Sequence, residues 1–208
     1  MVAVYLIEKL TLRNWLFTVL PHLLRRARVV RLCYAIEYSR AGLLVARLTS
    51  WLAGVRVEPL DFSYIEVRDS NGTTVGLRQL YFDLAVVRDE MLMNPFFDSL
   101  RQPRALTGKQ ATYIAKTLGS AGVYHPPSLH RALFIIELAA WQRNRLGASG
   151  QACLFLGRRA FFGILADYAE VRGVAVVATP DSGRAGFVVA ARNLLGVTHW
   201  SRLRKKYY

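Results

Sequence analysis

The chain of 208 residues is 53% apolar and 20% charged, which excludes general disorder and supplies enough apolar side chains for one full core, with or without an appendage. Its charge is the unusual quantity: 28 Lys and Arg against 14 Asp and Glu leave +14, with six bases and no acid between Lys9 and Arg31, five and none between Arg101 and Arg131, and six and none between Arg184 and Lys206. Such a chain attracts polyanions, whether nucleic acid, an anionic membrane leaflet or phosphorylated small molecules.

Residues 2–7 (VAVYLI) read as a buried first strand, and Thr11 as the N-cap of a helix with a wide apolar face of Leu12, Trp15, Leu16, Val19, Leu20, Leu23 and Leu24. Pro21 is expected to kink or split that helix, and Arg25, Arg26 and Arg28 crowd its C-terminal end, where cations meet the negative end of the helix dipole. Residues 29–36 form the second strand. Ser39 caps the next helix, residues 40–53, whose inward side is expected to be Leu43, Leu44, Ala46, Arg47, Leu48, Trp51 and Leu52, with Gly54 as its stop. A third strand follows at residues 55–60, and strands alternating with helices in this way describe a parallel α/β sheet.

The rhythm then changes. Residues 62–67 and 73–77 flank a turn cluster with Asn71-Gly72 at its tip, a β-hairpin pattern, and a helix follows over residues 80–92 until Asn94-Pro95 breaks it. Residues 94–127 form a helical insert, with one helix over 110–118, and Ser128 caps a long helix over 128–146.

Next comes the best-formed unit, QACLFLGRRAFFGILADYAEVRGVAVVATP. Residues 152–156 and 174–179 are short apolar runs ended by Gly157 and Pro180, and between them Phe161, Phe162, Leu165, Tyr168, Ala169 and Arg172 recur at helical spacing before Gly173. This is a βαβ unit. It sets Gly157, Arg158 and Arg159 at the carboxyl end of a strand, where open α/β sheets bind ligands, and two guanidinium groups beside a helix N-terminus suit a phosphate or are simply a solvated surface pair. Glu37, placed after the second strand, could accept a sugar hydroxyl, act as a base, or be a surface carboxylate. Glu137 interrupts the apolar run of the long helix, either as a buried carboxylate or as a solvent-side one.

The chain carries no GxSxG, Walker or GxGxxG motif, its four histidines lack metal-ligand spacing, and no cofactor is implied. Cys33 and Cys153 each sit in an apolar run and read as small core residues. No uninterrupted apolar stretch has a membrane-spanning length, and residues 2–7 lack a basic lead or a cleavage site, so a cytoplasmic protein is expected. Trp15, Arg25 and Arg26, together with Trp200, Arg202, Arg204, Lys205 and Lys206, combine aromatic groups with cations and are expected at the inner-membrane surface. The fold class is therefore Rossmann-like: a mostly parallel sheet with helices on both faces in residues 1–183, an appended hairpin, and a basic C-terminal helical tail over 184–208.

The order of these pieces resembles the N-terminal half of bacterial surface-polysaccharide biosynthesis proteins of the two-Rossmann (GT-B-like) glycosyltransferase type. The resemblance rests on VYLIEKLTLRNWLFTVL, LDFSYIEVRDSNGTTVGL and LFLGRRAFFGILADYAEVRGVAVVATP. It implies an acceptor-side half-domain at the cytoplasmic membrane face, a nucleotide-sugar or phosphorylated glycan acceptor as ligand, and a second glycosyltransferase domain as partner. It transfers no catalytic residue. Two other readings remain open from the residues alone: a nucleic-acid-binding α/β protein, and an accessory protein without catalysis whose basic faces bind a partner.

Overall fold

The computed structural model describes residues 2–25, 30–60, 66–68, 74–97, 118, 128–145, 150–159 and 161–180. Within them the chain divides into two compact units, residues 1–61 with 139–208, and residues 62–138.

The first unit is built on a five-stranded, wholly parallel sheet. Its strands are β1 (Val2–Leu10), β2 (Val30–Tyr38), β3 (Val55–Pro59), β6 (Gln151–Gly157) and β7 (Val174–Thr179), in the order β3-β2-β1-β6-β7. This is the Rossmann-like α/β architecture. The pleat sorts β1 by parity: Ala3, Tyr5 and Ile7 join Cys33, Ala35, Val55, Val57, Cys153 and Phe155 in one core layer with Trp15, Val19, Leu23 and Ala46 of the following helices. Val4 and Leu6, of the other parity, are buried as fully, as are Leu154 and Leu156 of β6. Cysteines 33 and 153 lie on either side of Tyr5 in register, both unoxidised and buried.

Helices follow the strands in alternation. Short α1 (Leu12–Asn14) opens on Thr11, whose Oγ1 accepts from Asn14 N at 3.1 Å, and continues through a π-helical segment (Trp15–Val19) into α2 (Leu20–Arg25). The wider π turn immediately precedes Pro21, where a missing N–H would interrupt an ordinary α ladder; the helix accommodates the proline by a local change of winding. Helix α3 (Arg40–Thr49) is capped by Ser39 Oγ, which accepts from Gly42 N at 3.1 Å, passes into a 3-10 turn (Ser50–Ala53), and ends at Gly54 with φ 61°. Gly42 is required by packing: a Cβ there would lie 2.8 Å from Leu10 O and 2.9 Å from Thr11 C, so the helix start can approach the β1–α1 turn only without a side chain. Helix α6 (Phe162–Val171), which buries Leu165 and Ala169, carries the chain from β6 to β7 and stops at Gly173, φ 69°.

One expectation holds only in part. Of the side of α3 expected to pack inward, Leu44, Leu48, Trp51 and Leu52 are 60%, 62%, 73% and 52% exposed. Ala46 of that side is buried and Leu43 is half-buried against the core as expected, and Gly42 and Val45 complete the inward contact. Close approach to the β1–α1 turn selects the face with the least bulk.

In the second unit, β4 (Glu66–Arg68) and β5 (Thr74–Gly76) pair antiparallel as the expected hairpin, and residues 62–65 and the tip lie outside the described residues. Helix α4 (Leu77–Met91) follows, burying Leu80 and Leu84. The helix expected over residues 110–118 lies outside the described residues, apart from the buried Leu118. Helix α5 (Leu129–Arg145) begins in this unit, with Ser128 Oγ accepting from Arg131 N at 3.1 Å, and its last turns belong to the sheet unit, where Arg143 Nη1 donates to Arg172 O at 3.4 Å.

Candidate functional site

Strand order reverses between β1 and β6: the chain adds β2 and β3 on one side of β1, then returns to place β6 and β7 on the other. At such a switch point the connections leave in opposite directions and open a crevice beyond the carboxyl ends of the two central strands, the usual ligand position in open α/β sheets. Here those ends carry Glu8, Lys9 and Leu10 on β1, and Gly157, Arg158 and Arg159 after β6.

Glu8 organises this end of the sheet. Its Oε2 accepts from Gly157 N at 2.7 Å and from Arg159 Nη1 at 3.1 Å, and its Oε1 accepts from Arg159 Nη2 in a very short contact. Arg159 Nη1 also donates to Gly157 O at 2.9 Å. The two charged side chains are only 5% and 6% exposed. Burying an ion pair is costly unless its geometry is good, and here the contact is two-pronged and Gly157 adds a backbone donor to the carboxylate. Gly157 fits the arrangement because a Cβ there would press to 3.1 Å from Glu8 Oε2.

The expected site residues thus divide. Gly157 and Arg159 are brought together at the switch point, but the guanidinium of Arg159 is held by Glu8. Arg158 is half-buried beside them, its backbone N donating to Thr179 O at 3.2 Å and tying the loop to the end of β7. Glu37 is inside β2, not after it, in register with Lys9 and half-buried. Sequence reasoning missed Glu8 by ending the first strand at Ile7. The available signal was a carboxylate at even spacing from Val4 and Leu6, in a strand whose residues are buried on both faces.

The expected membrane residues also divide. Trp15 is fully buried, and its indole N–H donates to Thr49 Oγ1 at 2.7 Å, so this ring belongs to the core and presents nothing to a surface. The reason is the wide apolar face of its helix, which packs on the sheet. Arg25 is exposed. Arg26, Trp200, Arg202, Arg204, Lys205 and Lys206 lie outside the described residues.

Ionisable groups elsewhere are structural in character. Burial, and then the neighbouring Cys153, raise the Cys33 thiol far above its ordinary range, which makes it unreactive as a nucleophile. In the second unit His130 is 1% exposed and meets the Tyr81 ring edge-on at 4.1 Å between centroids. Burial and the charge of Arg88 lower its pKa, against smaller upward effects of Tyr81 and Asp89. Burial likewise raises Tyr81, opposed by Arg88 and Arg131. Among the described residues no group of His, Cys, Asp and Glu could hold a metal ion, and no helix is long and apolar enough to cross a membrane.

Fold and switch point define a Rossmann-like α/β protein. Comparison of the chain with protein-family models, with curated proteins and with solved structures found no match.

Proposed function

We propose that the sheet unit binds a phosphorylated ligand in the crevice beyond β1 and β6, and that in the glycosyltransferase-like reading this ligand is a nucleotide-sugar or a phosphorylated glycan acceptor used in envelope polysaccharide assembly at the cytoplasmic membrane face. The observation that carries the reading is the reversal of strand order at the two strands whose ends bear Glu8 and the Gly157-Arg158-Arg159 loop. The Glu8–Arg159 pair gives that loop a fixed course, and Arg158 is the cation assigned to the phosphate. Arg159 is a positioning residue, because both terminal nitrogens of its guanidinium are engaged by Glu8 and its side chain is nearly sealed from solvent. A second domain, as the resemblance implies, would complete an active site; no catalytic role is assigned to any residue of this chain.

The test is binding of nucleotide and nucleotide-sugar panels by calorimetry and thermal shift. Wild type is expected to gain melting temperature on adding ligand, and Arg158→Ala to lose that gain relative to its own melting without ligand. A panel that leaves wild type unmoved, with retention of a random oligonucleotide at the same ionic strength, would replace this reading with the nucleic-acid one.

A further inference from the structure

We infer that the exposed face of α3 and its 3-10 extension is a docking surface for an anionic lipid bilayer. The inference is independent of any ligand in the β1/β6 crevice. Leu44, Leu48, Trp51 and Leu52 recur at four-, three- and one-residue steps and are each more than half exposed, so they form one continuous apolar stripe about two turns long. The core does not require them, since Gly42 and Ala46 already make the inward contact.

The charges around the stripe identify the occupant. Between Arg40 and Ala53 there is no acidic residue, while Arg40 and Arg47 are exposed beside the leucines. Arg47 and Trp51 also wall a groove of ≈ 420 Å³ at the sheet edge, opposite Arg56 of β3. A helix with leucine and tryptophan on one side and only arginines flanking them is the pattern of an element that lies in a membrane interface, its apolar groups among the acyl chains and its cations at anionic head groups. Arg56 is paired with Glu58 on that groove, which leaves Arg40 and Arg47 as the cations of this face that meet a head group.

Other occupants fit less well. A second copy would bring Arg40 and Arg47 against their own images in a self-complementary interface, in a chain already carrying +14. Strand addition at β3 is opposed by Pro59 at the end of that strand and by the exposed Arg56–Glu58 pair, 2.6 Å apart, along the edge. Nucleic acid would use the arginines, but three aliphatic leucines offer it nothing.

The experiment uses the full chain with vesicles of phosphatidylcholine alone or mixed with phosphatidylglycerol. Binding is expected only to the mixed vesicles, and Leu48→Glu and Trp51→Glu are each expected to lower it by about tenfold or more, with melting unchanged because the replaced side chains are exposed. Arg40→Gln with Arg47→Gln should weaken binding and its salt dependence together. For a readout of position, brominated acyl chains should quench the Trp200→Phe protein and fail to quench it once Trp51→Phe is added. The inference is overturned if wild type ignores the mixed vesicles, if Leu48→Glu and Trp51→Glu bind as wild type does, if quenching survives loss of Trp51, or if the stripe variants change only the oligomeric state.

Discussion

Two parts of the sheet unit invert the ordinary distribution of residues, and they do so in opposite senses. At the β1/β6 end a carboxylate and a guanidinium are sealed inside. Along α3, three leucines and a tryptophan stand outside. The buried pair is closed by two contacts between its own groups and tied by two more to the backbone of Gly157, so its removal is a structural event. The exposed stripe has no such dependence on its own fold, which leaves it available for something else. Position in a fold is therefore a poor guide to purpose until one asks which contacts would be lost.

The largest expected effect tests the buried side of this contrast. Glu8→Ala leaves Arg159 as an uncompensated buried charge and should cost about 3–5 kcal/mol in urea unfolding. Unfolding at the wild-type midpoint would mean that water reaches the pair and that the two regions do not differ as described.

A buried ionisable group without an opposite charge bonded to it sharpens the same point in the other unit. Because burial lowers the folded pKa of His130, both states are neutral above the ordinary histidine value of 6.5 and stability is unaffected there. As pH falls below that value, the unfolded chain takes up a proton that the folded one refuses. Stability should then decline by up to about 1.4 kcal/mol per pH unit until the folded pKa is reached. His130→Leu should flatten this part of a stability-pH curve; an equal slope in the variant would place the titration elsewhere.

Smaller effects probe α3 itself. Ser39→Ala removes the cap on Gly42 N and should cost about 1 kcal/mol. Leu48→Ala should stay within about 0.5 kcal/mol of wild type, since the side chain is 62% exposed. A cost comparable to a core leucine, about 2–5 kcal/mol, would show that the stripe is covered within the free protein and would end the contrast.

Local pattern was sufficient where an element is bounded by its own residues. The β6–α6–β7 unit was legible because Gly157, Gly173 and Pro180 punctuate it and its apolar residues change from continuous runs to helical spacing and back at those points. Thr11, Ser39 and Ser128 were legible as caps because capping is a three-residue interaction. Glu8 was not, since the partners that admit a carboxylate into the sheet are about 150 positions away in the chain. Helix α3 shows the limit of periodicity: the stripe is visible in the sequence, but which side faces the core depended on the close approach of Gly42 to Leu10 and Thr11. Trp15 was assigned both to an apolar face and to a surface, and packing chose the first.

Tyr5 separates Cys33 from Cys153 across one strand on each side, so their Cα atoms sit two strand spacings apart, about 10 Å, beyond the reach of a disulfide. Oxidants therefore cannot lock the sheet, and alkylating reagents cannot touch it while it is closed. The two thiols form a built-in clock: the rate at which they are modified reports how often the three central strands part, residue by residue, without any label being introduced.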